Sequence, residues 1–196
     1  EVIVIPNSVR KVQLFPEIKR EKVILAVGRL NDYLKGFDLL IESFAKLKNQ
    51  DWELHIAGGD EEGEALKEQA ERLGVINRIK FLGKVKEIDK CYAYAGMFVI
   101  PSRSEGFPNA LAEAMTAGCC CVAFDFVAGP RDLIVNNENG CIVSNVDVFA
   151  LANTIDELIL NHHKRAMLGE NAIEMRLKLK QSLIVEKIKL FMQNGM

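Results

Sequence analysis

The sequence predicts an α/β protein built on a doubly wound parallel sheet with helices on both faces. Three observations point there. Short apolar, β-prone runs alternate with helix-spaced patterns from residue 23 to residue 143. The best of those runs, Val23 to Val27, is apolar without interruption, as a strand covered on both faces must be. The turns that follow the strands are short and carry glycine beside charged residues, and ligands of such sheets bind beyond the carboxyl ends of the strands.

Taken in order, Val23 to Val27 leads through Gly28 into a pattern in which Phe37, Leu40, Ile41, Phe44 and Leu47 recur at helical spacing. Trp52 to Ala57 repeats the strand signal, Gly58-Gly59-Asp60 ends it, and Glu62 to Leu73 is helix-prone. Ile79 to Leu82, stopped by Gly83, predicts the next strand, and Glu87 to Ala95 the helix after it. Met97 to Ile100 is again a strand, and Pro101-Ser102-Arg103-Ser104 reads as the turn that ends it. Pro108 suits the first turn of a helix reaching Ala117, because its missing N–H is not needed there. Cys119 to Phe124 and Gly140 to Val143 complete the strands, and Val148, Leu151, Ile155, Leu158 and Ile159 mark a helix. Two further helices are expected. The last covers 180–196, with Val185, Ile188, Phe191 and Met192 facing a core or another domain. The whole of 1–196 reads as a single domain without repeats or a low-complexity linker.

Composition sets the bounds. The chain has 196 residues, 49% hydrophobic and 27% charged, with a net charge of −2, which gives no electrostatic reason to expect nucleic acid. Five cysteines, three of them adjacent at Cys119-Cys120-Cys121 and none in a C-x-x-C pair, argue against a disulfide framework or a zinc site and suit a reducing cytoplasm. No apolar stretch approaches the roughly 20 residues that span a bilayer, and no signal-peptide pattern opens the chain. It opens on Glu1 rather than Met, so a piece of a longer protein is expected.

The run from Glu105 to Met115 sets two carboxylates eight positions apart across a strand-to-helix junction. Glu105 falls on the loop and Glu113 inside the helix. The backbone N–H groups of Phe107 to Leu111 then face the space between them, with the positive end of the helix dipole behind. Such a junction suits a sugar nucleotide. Taken singly, Arg29 and Lys35 are ordinary loop cations, Glu105 an exposed turn acid and Glu113 a helix-surface acid. Around Glu113, however, Ala110, Leu111, Ala114 and Met115 are apolar, so a charge there needs a partner.

Gly28-Arg29-Leu30 with Lys35-Gly36, Gly58-Gly59-Asp60, Gly83-Lys84-Val85 and the run E-G-F-P-x-x-L-x-E-A-M follow the strands in order, and together they resemble a known family. The pattern is similar to the C-terminal, donor-binding half of retaining GT-B glycosyltransferases of the group 1, or family 4, type. Ile5-Pro6-Asn7-Ser8-Val9 resembles that family's I-P-N-G-V segment, with Ser8 where glycine is commoner.

The resemblance implies a Rossmann-like domain and the following roles. Arg29 and Lys35 grip the donor diphosphate, whose negative charge grows as the glycosidic bond breaks. Arginine's planar fork and lysine's compact charge both suit phosphate oxygens. Glu105 faces the donor sugar near its anomeric carbon, so Glu105, Arg29 and Lys35 form the expected catalytic set. Glu113 accepts hydrogen bonds from the ribose hydroxyls. Gly28, Gly58, Gly106, Phe107, Asn109, Ala110 and Leu111 line the donor, and backbone groups at Lys84 and Val85 meet the base. No metal or cofactor is expected, and the substrate is a UDP-sugar carrying a hexose or N-acetylhexosamine. Phe124-Asp125-Phe126-Val127-Ala128-Gly129-Pro130-Arg131-Asp132 resembles a stretch found in members that use such donors, although Gly129-Pro130 reads equally as a turn before a short helix.

The expected partner is an N-terminal acceptor-binding domain, with any membrane association peripheral and through that domain, at the inner face of the membrane. Other readings stay open: a GDP-mannose-type mannosyltransferase domain, half of a sugar-nucleotide epimerase, or a nucleotide-sugar-binding module without catalysis. A glycoside hydrolase fits less well, since its two carboxylates need no basic pair and no helix N-terminus. His162-His163 read as a solvated helix end, His55 as a strand-face residue, and the cysteine run as inert packing.

Overall fold

The computed structural model of the chain describes residues 5–59 and 63–194. Its sheet is formed by β1 (Glu21–Val27), β2 (Glu53–Ala57), β3 (Ile79–Gly83), β4 (Ala95–Ile100), β5 (Cys120–Phe124) and β6 (Cys141–Val143). All pairings are parallel, in the order β3-β2-β1-β4-β5-β6. The helices are α1 (Phe37–Ala45), α2 (Glu64–Arg72), α3 (Ile88–Tyr94), α4 (Asn109–Thr116), α5 (Pro130–Leu133), α6 (Val148–Leu160), α7 (His162–Ala172), α8 (Met175–Lys178) and α9 (Gln181–Asn194).

The chain winds outward from β1 to β3, returns to β4 beside β1, and winds outward again to β6. Right-handed crossovers therefore place α1 and α2 on one face and α3 and α4 on the other. The reversal between β1 and β4 is the topological switch point, where the loops leaving two neighbouring strands diverge and open a crevice. Those loops carry Arg29 and Lys35 on one side and Glu105 on the other. Strands β4 and β5 are buried along their whole length, as central parallel strands should be. Phe98 of β4 meets the buried Tyr92 of α3 edge to face, with ring centroids 5.8 Å apart. Each such fully buried side chain stabilises by roughly 1.5–3 kcal/mol relative to exposure.

Several expected boundaries move. β4 starts at Ala95 directly from α3, two residues before the expected Met97. The helix expected over Glu62 to Leu73 is α2; Glu62 and Asp60 lie outside the described residues. Pro108 stands at the N-cap of α4 (φ −81°, ψ 71°) rather than inside its first turn. After α6 come three helices rather than two, since α8 is separate from α9. On α9, Val185, Ile188, Phe191 and Met192 are exposed and do not pack on the core; Ile184 does.

Residues 5–20 have no regular structure and form a strap. Val9 donates its N–H to the carbonyl of Leu179 at 3.1 Å. Arg20 donates to the carbonyls of Tyr92, Ala95 (2.9 Å) and Ala117 (2.9 Å), closing the C-terminal ends of α3 and α4. Among the described residues, no helix is long and apolar enough to cross a membrane.

Candidate functional site

Past the strand ends the backbone stays paired: Gly28 donates to Ala57 O at 3.0 Å and Gly58 to Gly83 O at 2.7 Å. Gly58 has φ 116°, and a Cβ there would run into the carbonyl of Gly28, so the two loops are in backbone contact. Arg29 extends into solvent, its side chain 75% exposed, and donates to Asp32 at 2.8 Å. Asp32, held below the usual carboxylate range by that guanidinium, also accepts from Leu34 N–H at 3.1 Å and caps the 3₁₀ turn Tyr33–Lys35. Gly36 ends the turn at φ 68°, pressed so close to the carbonyl of Pro101 that a Cβ would collide with it. This conformation costs an L-residue roughly 1–2 kcal/mol even without a collision.

The β4–α4 loop meets this turn. Lys35 Nζ donates to both oxygens of Glu105, at 2.8 and 3.0 Å, and Ser102 Oγ donates to Glu105 Oε1 at 2.7 Å. The side chains of Lys35 and Glu105 are 21% and 12% exposed, so the pair is shielded yet open on one side. The sequence assigned these residues separate partners; the structure brings them together, while Arg29 remains with Asp32. Gly106 is exposed and Phe107 packs against the core edge. At the start of α4 no side chain caps the helix; Asn109 N–H turns back to Phe107 O at 2.9 Å and Ala112 N–H bonds Pro108 O at 3.1 Å. Asn109 is exposed, Ala110 half-buried, and the Leu111 side chain lies in the core.

Glu113 has the partner that its apolar helix demanded. Arg10 of the strap donates to both its oxygens, from Nε at 2.9 Å and from a terminal nitrogen at 3.1 Å, and Tyr92 OH donates to Oε2 at 3.1 Å. Arg10 also forks onto Asp89 of α3, with a second contact at 3.0 Å. A carboxylate has about four lone-pair positions, so three donors leave room for one more. Asp89 additionally accepts Gln13 N–H at 2.7 Å. Burial would raise its pKa, but these donors outweigh it and hold Asp89 below its ordinary range. Burial and the neighbouring Glu113 push the Tyr92 phenol up, so it stays a donor.

Lys84 is exposed and Val85 packs partly against the core, at the outer edge of the crevice. Gly129 (φ 109°) abuts Pro108 and precedes α5, while Asp125 and Arg131 close their loop through hydrogen bonds of 2.7 and 2.5 Å. A cleft of about 960 Å³ lies beside Gly106 and Phe107, bounded by Asn7, Asp132 and Leu190. It does not include Lys35 or Glu105. Outside the site, His55 is buried between Tyr94 OH (3.0 Å) and Glu53 (2.9 Å). His162 and His163 open α7 with rings 3.8 Å apart. The cysteine thiols are buried and free, and burial raises those of Cys119, Cys120 and Cys121.

Sequence reasoning missed Arg10, Tyr92 and Ser102 as partners of the two glutamates. A carboxylate inside an apolar helix was a signal that some cation had to exist, but not which one.

A doubly wound parallel sheet with a cation–carboxylate pair at its switch point and an uncapped helix start beside it defines a Rossmann-like α/β domain. The chain belongs to the glycosyl transferases group 1 family, whose model matches residues 10–175. An uncharacterized glycosyltransferase of Haemophilus influenzae is 34% identical over 142 residues, covering 71% of this chain and 40% of that protein. Among solved structures, a Staphylococcus aureus TarM variant in complex with fondaparinux, α-GlcNAc-glycerol and UDP superposes with TM-score 0.86 at 27% identity, covering 94% of this chain and 38% of that one. Anabaena HepE in complex with UDP gives TM-score 0.83 at 26% identity, covering 89% and 49%. The chain spans less than half the length of the curated relatives it matches.

Proposed function

We propose that this chain is the donor-binding domain of a retaining, metal-independent glycosyltransferase, moving a hexose or N-acetylhexosamine from a UDP-sugar to a saccharide or lipid-linked glycan. The observation that carries the reading is the Lys35–Glu105 pair at the switch point, which joins a cation suited to phosphate oxygens and a carboxylate suited to sugar hydroxyls within one hydrogen bond. In this reading Lys35, Arg29 and the start of α4 stabilise the charge that grows on the departing diphosphate. Glu105 orients the sugar, and the acceptor attacks from the face the diphosphate leaves, its proton passing to a donor phosphate oxygen. Glu113, held by Arg10 and Tyr92, offers its remaining acceptor position to the ribose. The separate surroundings of Glu105 and Glu113 favour two binding roles over the shared acid–base work of a hydrolase. The UDP complexes of TarM and HepE support uridine as the base.

The acceptor belongs on a second, N-terminal domain of the full-length protein, and the exposed apolar side of α9 faces it; exposed patches of this kind mark interfaces. The donor domain then binds without transferring. A cytoplasmic place at the inner membrane face, in polysaccharide synthesis, fits this chemistry. Charged hydrogen bonds are worth about 1.5–3 kcal/mol, so Lys35→Ala and Arg29→Ala should each weaken UDP binding by roughly ten- to a hundredfold at low salt and less at high salt. Unchanged affinity in both variants removes the diphosphate role.

A further inference from the structure

We propose that Arg103 is a positioning residue for the donor site, clamping the β1–α1 loop to the β4–α4 loop and thereby setting Lys35 against Glu105. The proposal deepens the donor reading above and rests on it. The Arg103 guanidinium lies over the Tyr33 ring, 3.7 Å from its centroid. One terminal nitrogen donates to Tyr33 O and to Asp38 Oδ1, both at 2.8 Å, and the other to Asp38 Oδ2 at 2.6 Å. The Arg103 backbone N–H donates to Leu34 O at 2.8 Å. Lys35 is thus bracketed, with Arg103 holding residues 33 and 34 before it and residue 38 after it. Glu105 stands two positions beyond Arg103, on the same short loop.

Among the described residues, two ion pairs join these segments: Arg103–Asp38 and Lys35–Glu105. The Arg103 side chain is 14% exposed, so its planar fork works in a shielded setting where geometry is fixed. The lysine stem is flexible, and freezing it at the moment of ligand capture costs affinity unless the loop is already ordered. Arg103 supplies that order through the backbone carbonyls of Tyr33 and Leu34 before Lys35 and through the Asp38 side chain after it. Its loss should therefore be felt where Lys35 and Glu105 act, at the diphosphate and sugar, more than at base and ribose.

The test is calorimetric titration of the wild-type chain and the variants Arg103→Ala, Arg103→Lys and Asp38→Asn with UDP and with UMP, beside thermal melts. Arg103→Ala and Asp38→Asn should weaken UDP binding about tenfold and UMP binding less than about threefold, with Arg103→Lys intermediate. In a Lys35→Ala background, Arg103→Ala should add little further loss, because coupled residues are not additive. A lowered Tm with UDP affinity within about twofold of wild type, equal losses for UDP and UMP, or additive losses with Lys35→Ala would each overturn the clamp. If Arg103→Ala does not fold, Asp38→Asn and Arg103→Lys carry the same comparison. Silence of the wild-type chain toward UDP overturns the donor reading and this proposal together. Binding that responds to Lys35→Ala but not to the Arg103 and Asp38 variants overturns this proposal alone.

Discussion

At Glu113 three donors converge on one carboxylate, and two of them come from Arg10, 103 positions away in the chain. Removing Arg10 leaves Glu113 and Asp89, with side chains 18% and 14% exposed, facing each other without a cation. Breaking a buried pair costs roughly 3–5 kcal/mol, and because Arg10 is itself half-exposed, Arg10→Ala should cost about 1–3 kcal/mol in urea unfolding. The same carboxylates give a pH dependence. Asp89 and Asp38 are held below their ordinary range because their arginine partners outweigh burial, so the unfolded chain binds more protons in acid. Their contribution is therefore complete above the unfolded value near pH 4 and disappears as pH falls through the lower folded values. Unfolding measured from pH 6 down to pH 3 should show a steep loss below about pH 4, made shallower by Asp89→Asn. A slope unaffected by that variant would contradict the assignment. The family resemblance carried the reading of Lys35 and Glu105, since each taken singly is an ordinary loop charge and only the ordered set of motifs after the strands sets them apart. Arg10, Tyr92 and Arg103 were not legible, because their partners lie far along the chain and only the fold brings them together.

Among the elements, the β1–α1 turn is set by backbone contact as much as by side chains. Gly36→Ala must place a Cβ at φ 68° against the carbonyl of Pro101. The left-handed conformation alone costs roughly 1–2 kcal/mol, and the collision adds to it, so a loss of at least about 2 kcal/mol should appear in urea unfolding. UDP affinity should fall with it, since Lys35 precedes this glycine; a variant of wild-type stability would show that the loops are not in contact. Strands and helices were legible wherever glycine or proline punctuated them, as at Gly28, Gly83 and Pro108. The break between α8 and α9 was not, because Lys178-Leu179-Lys180-Gln181 contains no residue that opposes a helix. The early start of β4 was hidden for a related reason: Tyr94 passes into Ala95 without a turn, and alanine by itself favours continuing the helix. Pro108 shifted by one position because it terminates the preceding loop against Gly129 rather than opening the first helical turn.

For the whole molecule, alternation predicts a parallel doubly wound sheet, and in the strand order that the structure adopts the switch point between β1 and β4 gathers loops distant in sequence into one crevice. That convergence is what assembles the proposed donor site from residues that are unremarkable singly. The chain's membership of the glycosyl transferases group 1 family fits this arrangement, and the proposed UDP-sugar donor is the part of the reading most open to measurement. The direct measurement is isothermal titration of this chain with UDP, UDP-glucose, UDP-N-acetylglucosamine, GDP, GDP-mannose and ADP under one buffer. Heat with UDP and both UDP-sugars, and little with the guanine and adenine nucleotides, is the predicted result. Binding of GDP-mannose without UDP contradicts the donor assignment, and silence toward all six contradicts a nucleotide site at Lys35 and Glu105.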